Sequence, residues 1–565
     1  MSNLITSIKE LFSDPLSLSF NGAALFVSVI AVGWGLALRF TLKLIGRKRH
    51  AEIVVSLPVY VMIGLFITII IITIVGGFVS PTDLPRHIGA IGIIASFFAV
   101  LLVITLLLDI FRMVTGFAVG WLLLVVAFCC TVSDINNNHQ VRTSLGSRSN
   151  SRDLPYDFRR WLASRKDLDY YQGRVVRYPV YIVAAEGGGI YAAYHAAMVL
   201  ARLQDYCSNF AQHLFAISSV SGGSLGAAVF SGLSDTLAKN MDHETCRRSL
   251  KRQLNTPTLE QLTESVLSQD FLSPLIYGLL FPDFLQRFVP AKVGPFDRAR
   301  WLETSFEETF ARIGSKRFSD PFLRWWRPTE AAPAILMNTT SVATGERVVL
   351  TPFKFDDSIT GRAQVKTIHT FLNTDLRDIS VSTAISLSAR FPWITPAGSL
   401  TESAASKLAD GGYFESSGVE TALDVIQRVN KLIVDEGLDD KVSIRLVIIQ
   451  SWIEEPTSAL LDEILSPVNT MLATRVARGG LAKVRAYNEL CPRCLPLEFQ
   501  NGAVWPKKEA RSEEYNRQPI ILHSIEGNTA PLPLGWDLGR RSEEFINAQL
   551  GVGEACRTGQ GTTYF

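Results

Sequence analysis

Four apolar runs without a single charged side chain crowd the first quarter of the chain, at residues 22–38, 53–79, 88–108 and 113–132. Each approaches the roughly 20 residues that cross a hydrocarbon core of about 30 Å. One such run alone would read equally as the core helix of a water-soluble domain. Four in succession predict a helical membrane anchor over residues 1–133. No small-residue processing site follows the first run and further spans come after it, so the pattern is not that of a cleaved leader.

Outside that region the composition is ordinary. The whole chain is 47% hydrophobic, 19% charged and carries a formal net charge of +2. There is no arginine-rich stripe, which removes nucleic acid as an expected partner. Arg39, Lys43, Arg47, Lys48, Arg49 and Arg112 fall on the side opposite the termini, against Lys9, Arg86, Arg142, Arg148 and Arg152 on the termini's side. The dense cluster after the first run tips the expectation toward a multi-pass inner-membrane protein with an exported, periplasmic catalytic domain. Cys207 and Cys246 lie in polar connecting stretches and are candidates for a disulfide, which belongs to an oxidising compartment. Cys491 and Cys494 lack a second ligand pair for zinc and read as structural.

Residues 134–175 turn polar and read as a linker, with Asn136, Asn137, Asn138, Ser147, Ser149 and Ser151. Tyr178–Ala185 is then a short Val/Ile/Tyr-rich run closed by glycines, followed by a helical stretch at 190–205. Leu214–Val220 and Gly222–Leu237 repeat the order. Two strand–glycine turn–helix units in a row predict a parallel α/β sheet covered by helices. Residues 334–337, 348–351 and Val442–Gln450 supply further strands, and 254–318 reads as a helical insertion or cap. The expected catalytic domain covers 176–455 and a helical and strand extension covers 456–565. In that extension Arg475, Arg478, Lys483 and Arg485 form a basic helix face, read as a solvated surface.

The chemistry gathers in the turns. Glu186-Gly187-Gly188-Gly189 follows a strand and opens a helix, so its backbone N–H groups converge at a helix N-terminus. It lacks the Lys-Ser/Thr ending of a phosphate loop and the spacing of a dinucleotide fingerprint. An oxyanion hole fits better. Ser219-Val220-Ser221-Gly222-Gly223-Ser224 is also a strand-to-helix turn and reads as a nucleophile elbow centred on Ser221, with the N–H of Gly222 facing the oxyanion. Asp410-Gly411-Gly412-Tyr413 is a third turn, weak alone because Asp-Gly is a common turn pair.

Taken in order, a glycine-rich turn, a serine elbow and Asp-Gly-Gly resemble the patatin-like phospholipase family. The likeness runs from about Tyr178 to about Ser417, taking in the block from Asn338 to Val348 and Ser388-Ala389-Arg390-Phe391-Pro392. It implies a three-layer α/β/α domain with a Ser-Asp dyad, which here follows the four spans read from the apolar runs. Ser221 would attack an ester carbonyl, Asp410 would serve as general base, and Gly187, Gly188, Gly189 and Gly222 would hold the oxyanion. Tyr191 and Ala192 stand where the family's turn continues with a basic and a small residue, and Ser219 replaces the elbow's first glycine. A triad would need a late histidine, and only His523 follows Asp410.

The sequence therefore predicts a membrane-anchored lipid acyl hydrolase acting on membrane lipid esters, with no metal or organic cofactor. Acyl transfer to another alcohol is the same chemistry with a different acceptor. The rival is a non-catalytic membrane sensor or transporter carrying a degenerate hydrolase-like domain. Against it, the four runs contain no charged residue of the kind that marks ion pathways.

Overall fold

A computed structural model describes residues 79–145, 153–174, 176–237, 257–355, 365–372, 376–391, 394–450, 462–491, 497–500, 503–506, 519–523 and 535–549. These residues form two compact units. One takes 140–269 and 309 onward; the other takes the residues up to 139 together with 270–308.

The first unit is built on a mixed sheet. Its strands are β1 (Tyr178–Ala185), β2 (Leu214–Val220), β3 (Ala334–Ser341), β4 (Arg347–Leu350), β5 (Lys366–Thr367), β6 (Lys407–Asp410), β7 (Val442–Gln450) and β8 (Ile520–His523). The spatial order is β8-β7-β1-β2-β3-β4-β5, and β6 pairs with β3. From β8 to β3 every pairing is parallel, whereas β4 and β6 run antiparallel to β3. Val, Ile and aromatic side chains suit central strands buried on both faces. All seven residues of β2 are accordingly buried.

Helices cover both faces. Helix α1 (Gly189–Tyr206) follows β1 and helix α2 (Gly222–Leu237) follows β2. The two pack together so closely that a Cβ on Gly226 would come 2.4 Å from the carbonyl oxygen of Ala193. Farther along are α3 (Val381–Ser388), α4 (Val419–Asp435) and α5 (Asp462–Leu490). Val180, Ile182 and Ala184 of β1 pack with Val419, Ala422, Ile426 and Val429 of α4 and with Ala482 and Ala486 of α5. The result is the three-layer α/β/α arrangement expected from the repeated strand–helix pattern.

The stretch read as a polar linker also contains structure. Leu154–Ala163 is a helix whose residues Leu154, Phe158 and Trp161, spaced for one helical face, are fully buried in that same core. Polar letters on its other face had masked the repeat.

In the second unit, one helix of the described residues is long and apolar enough to cross a membrane: Asp83–Met113 within the helix Asp83–Thr115, which is kinked at Gly89 (φ 74°) and reaches a mean hydropathy of 2.9 over 18 residues. Its Ile93 and Phe97 form a cluster with Tyr277, Phe281 and Trp301 of the inserted segment. Phe97 meets Phe281 and Phe284 edge to face, with centroids 5.8 and 5.2 Å apart. Elsewhere on the helix Phe98, Phe111 and Met113 are exposed. The fourth run does not form one continuous span. Gly116, at φ 75°, ends the first helix, and the next covers only Val119–Val132. Fourteen residues reach about 21 Å at about 1.5 Å per residue, short of a bilayer core. The runs at 22–38 and 53–78 lie outside the described residues, as do Cys246, Cys494 and Cys556.

Candidate active site

Two tight turns at the carboxyl ends of β1 and β2 create the site. Ser221 closes β2 with φ 52°, a left-handed backbone that a non-glycine residue adopts only under local constraint. That geometry lifts the side chain out of the strand line, as a nucleophile elbow requires. The neighbouring glycines are steric necessities. A Cβ on Gly222 would lie 1.8 Å from the carbonyl oxygen of Gly189, and one on Gly223 would lie 2.6 Å from that of Ala185. The elbow and the glycine turn thus touch through backbone alone.

Ser221 Oγ donates a hydrogen bond of 2.7 Å to Asp410 Oδ2. Asp410 ends β6, which pairs with β3 at Thr339, so the antiparallel strand carries a carboxylate from 189 residues downstream to the serine. Its other oxygen, Oδ1, accepts from the backbone N–H of Gly412 at 2.7 Å. Gly411 permits this turn, since a Cβ there would lie 2.3 Å from Asn338 O. Burial raises the pKa of Asp410 above the usual carboxylate value; the positive charge of Arg475 and the hydrogen bonds from Gly412 and Ser221 offset only part of that. No imidazole stands between serine and aspartate. His523 lies on β8, paired with Gln450 at the far side of the sheet order.

A chain of hydroxyls holds the elbow from below. Ser388 Oγ, at the end of α3, accepts from the N–H of Ser221 at 3.1 Å and donates to Asn338 O at 2.7 Å. It also lies 2.8 Å from Ser224 Oγ. Ser388, which the sequence marks only as part of the resemblance, therefore positions the elbow.

The glycine turn sits beside Ser221, but its members differ. The N–H of Gly187 donates to Ser416 O at 2.9 Å, so it is engaged within the fold. Gly187 instead allows proximity: a Cβ there would lie 3.2 Å from that of Ser221. Gly188 and Gly189 have φ of 154° and 69°, and the turn leads into the N-terminus of α1.

A cleft enclosing ≈ 440 Å³, its open mouth included, lies above these groups. Gly187, Gly188, Gly189, Ser221, Ala389, Phe391, Ser416, Arg475 and Trp536 line it. Arg475 and Trp536 come from the C-terminal extension. The sequence marks Arg475 only as part of a basic helix face read as solvated, and carries no signal for Trp536.

A strained serine turn bonded to a buried aspartate thus sits at the strand ends of a three-layer α/β/α scaffold. Residues 183–423 match the family model described as patatin-like phospholipase, so this part of the chain is a patatin-like phospholipase domain, the mark of lipid acyl hydrolases in general. No curated protein gives a match.

Proposed function

We propose that the protein cleaves fatty acyl esters of membrane lipids through a Ser221-Asp410 dyad. The 2.7 Å hydrogen bond between Ser221 Oγ and Asp410 Oδ2 carries this reading. Asp410 accepts the serine proton as Oγ attacks the ester carbonyl, then returns it to the departing lipid alcohol. In the second half Asp410 takes a proton from the water that attacks the acyl-Ser221 ester and passes it to Ser221 Oγ as the acyl–Oγ bond breaks, releasing the fatty acid and restoring the serine hydroxyl. The N–H groups of Gly188, Gly189 and Gly222 are the donors we assign to the developing oxyanion; Gly187, already bonded to Ser416 O, shapes the turn.

Attachment to a bilayer would serve the chemistry by confining the enzyme to the surface that holds its substrate, raising effective concentration without new contacts. The apolar helix Asp83–Met113 supports such attachment. Cys207 and Cys491 are both disulfide-bonded, which supports a catalytic domain on the oxidising, exported side. A reporter active only outside the cytoplasm, fused after Phe565, tests the side: silence places the domain in the cytoplasm.

Labelling with a serine-directed fluorophosphonate tests the chemistry. Wild type should label and Ser221→Ala should not; equal labelling of both would sink the dyad.

A further inference from the structure

The three cationic residues of α5 nearest the site have different neighbours. Lys483 pairs with Glu186 at 3.2 Å, and the guanidinium of Arg478 lies 4.6 Å from the ring centroid of Phe414. Arg475 lines the cleft with Ser221, yet among the described residues it forms no ion pair and donates no hydrogen bond. Its Nε is fully shielded by protein. The ring centroid of Phe391 lies 5.9 Å from its guanidinium carbon, and a Cβ on Gly412 would lie 3.5 Å from Nη1. Asp410, the carboxylate whose ionisation Arg475 eases, is bonded to Ser221 and Gly412 instead.

Arg475 is the sole charged residue among those lining the cleft. A partly desolvated guanidinium with an unmatched Nε donor is costly, and its planar fork fits two oxygens of one phosphate. Position is fixed as well. Arg475, Gly479 and Lys483 fall on one face of α5 at spacings of four. Gly479 abuts Ser416, where a Cβ would lie 2.8 Å from Oγ, and Lys483 is tied to Glu186 beside the glycine turn. The helix therefore holds Arg475 in register with Ser221. Tyr191 occupies the glycine-turn position where a basic residue is usual, so the cleft's positive charge comes from α5.

We infer that Arg475 is a specificity-determining residue that binds the phosphodiester of the lipid whose acyl ester is presented to Ser221. This rests on the hydrolase reading above and adds that the enzyme selects phospholipid over uncharged acylglycerol. Arg475 lies beyond the residues that match the family model.

The test compares full-length protein acting on phosphatidylglycerol and on diacylglycerol with the same acyl chains, in mixed micelles at a pH where activity has reached its plateau. Wild type should favour the phospholipid. Arg475→Gln should lose that preference by on the order of 10-fold to 100-fold, mostly through KM, the span expected for one charge-assisted contact. Arg475→Lys should fall between them. An equal loss on both lipids, in variants that still take the fluorophosphonate at Ser221, overturns the inference and leaves the hydrolase reading standing. So does a wild type without preference. A wild type that neither turns over either lipid nor takes the label overturns the hydrolase reading itself.

Discussion

Lys483 Nζ lies 3.2 Å from each carboxylate oxygen of Glu186, and both side chains are buried. The pair joins the residue that opens the glycine turn to a helix 297 residues downstream. Ser416 Oγ adds a bond of 3.4 Å to the same carboxylate. Removing one partner leaves a buried charge unmatched, whereas removing both does not. Lys483→Met should therefore destabilise the domain by about 3–5 kcal/mol. The double variant Glu186→Gln/Lys483→Met should recover much of that loss. Urea melts of the three proteins check this, and a double variant no more stable than the single one would show that the loss does not come from an unmatched buried charge.

Gly222→Ala brings a different failure. With Gly189 O 1.8 Å from the new Cβ and backbone on both sides, the elbow and the glycine turn must separate. Such a shift displaces the proposed oxyanion donors, and losing one donor alone costs roughly 10²–10³ in kcat. Turnover of a short-chain ester should fall at least that far. Near-normal turnover would mean that the two turns need not touch during catalysis.

The pH profile follows from Asp410. Burial raises its pKa above the usual carboxylate value, and as the proposed general base it works only when ionised. The acid limb of kcat/KM should therefore lie above the value of about 3.9 typical of a free aspartate, with activity rising as pH increases through it. Arg475 favours the ionised form, so Arg475→Gln should move the limb to higher pH on charged and uncharged substrates alike. A limb unmoved by the substitution would show that Arg475 does not act on Asp410.

The parts of this arrangement that are local in sequence were legible there. Strands β1 and β2, each closed by a glycine turn and followed by a helix, announce themselves by composition and order, and Ser221 is marked by the small residues that its turn requires. Asp410 is weak as a turn but strong as the third motif in order. What could not be read is carried by long-range packing. Arg475 reaches the cleft because Gly479 lets α5 approach Ser416 closely, and no local pattern records that contact. Ser388 acts through hydrogen bonds to Ser221 and Asn338, which lie 167 and 50 residues away. The fourth apolar run looked like a span because hydropathy does not register the left-handed turn at Gly116 that divides it. The segment 270–308 groups with the apolar helix because Tyr277, Phe281 and Trp301 match Ile93 and Phe97, a complementarity invisible until both are placed.

Acid stability should depend on a second aspartate, at the opposite ends of the strands. Asp167 is buried and bonded to His213 Nε2 at 3.0 Å, Tyr178 Oη at 2.9 Å and Asn209 Nδ2 at 2.9 Å. Burial is the largest single influence and pushes its pKa up, but the bonds and charge of His213, with the bonds from Tyr178 and Asn209, outweigh it. The net pKa lies below the usual value. A carboxyl whose folded pKa is lowered adds stability above its unfolded pKa of about 3.9, and that contribution disappears as pH falls through the lower folded value. The wild-type thermal midpoint should accordingly drop steeply below about pH 4. Asp167→Asn cannot release or bind this proton, so its midpoint should start lower at neutral pH and converge on the wild-type value in acid. Melting curves collected from pH 7 down to pH 3 decide the matter: parallel curves for the two proteins would remove Asp167 as the group responsible.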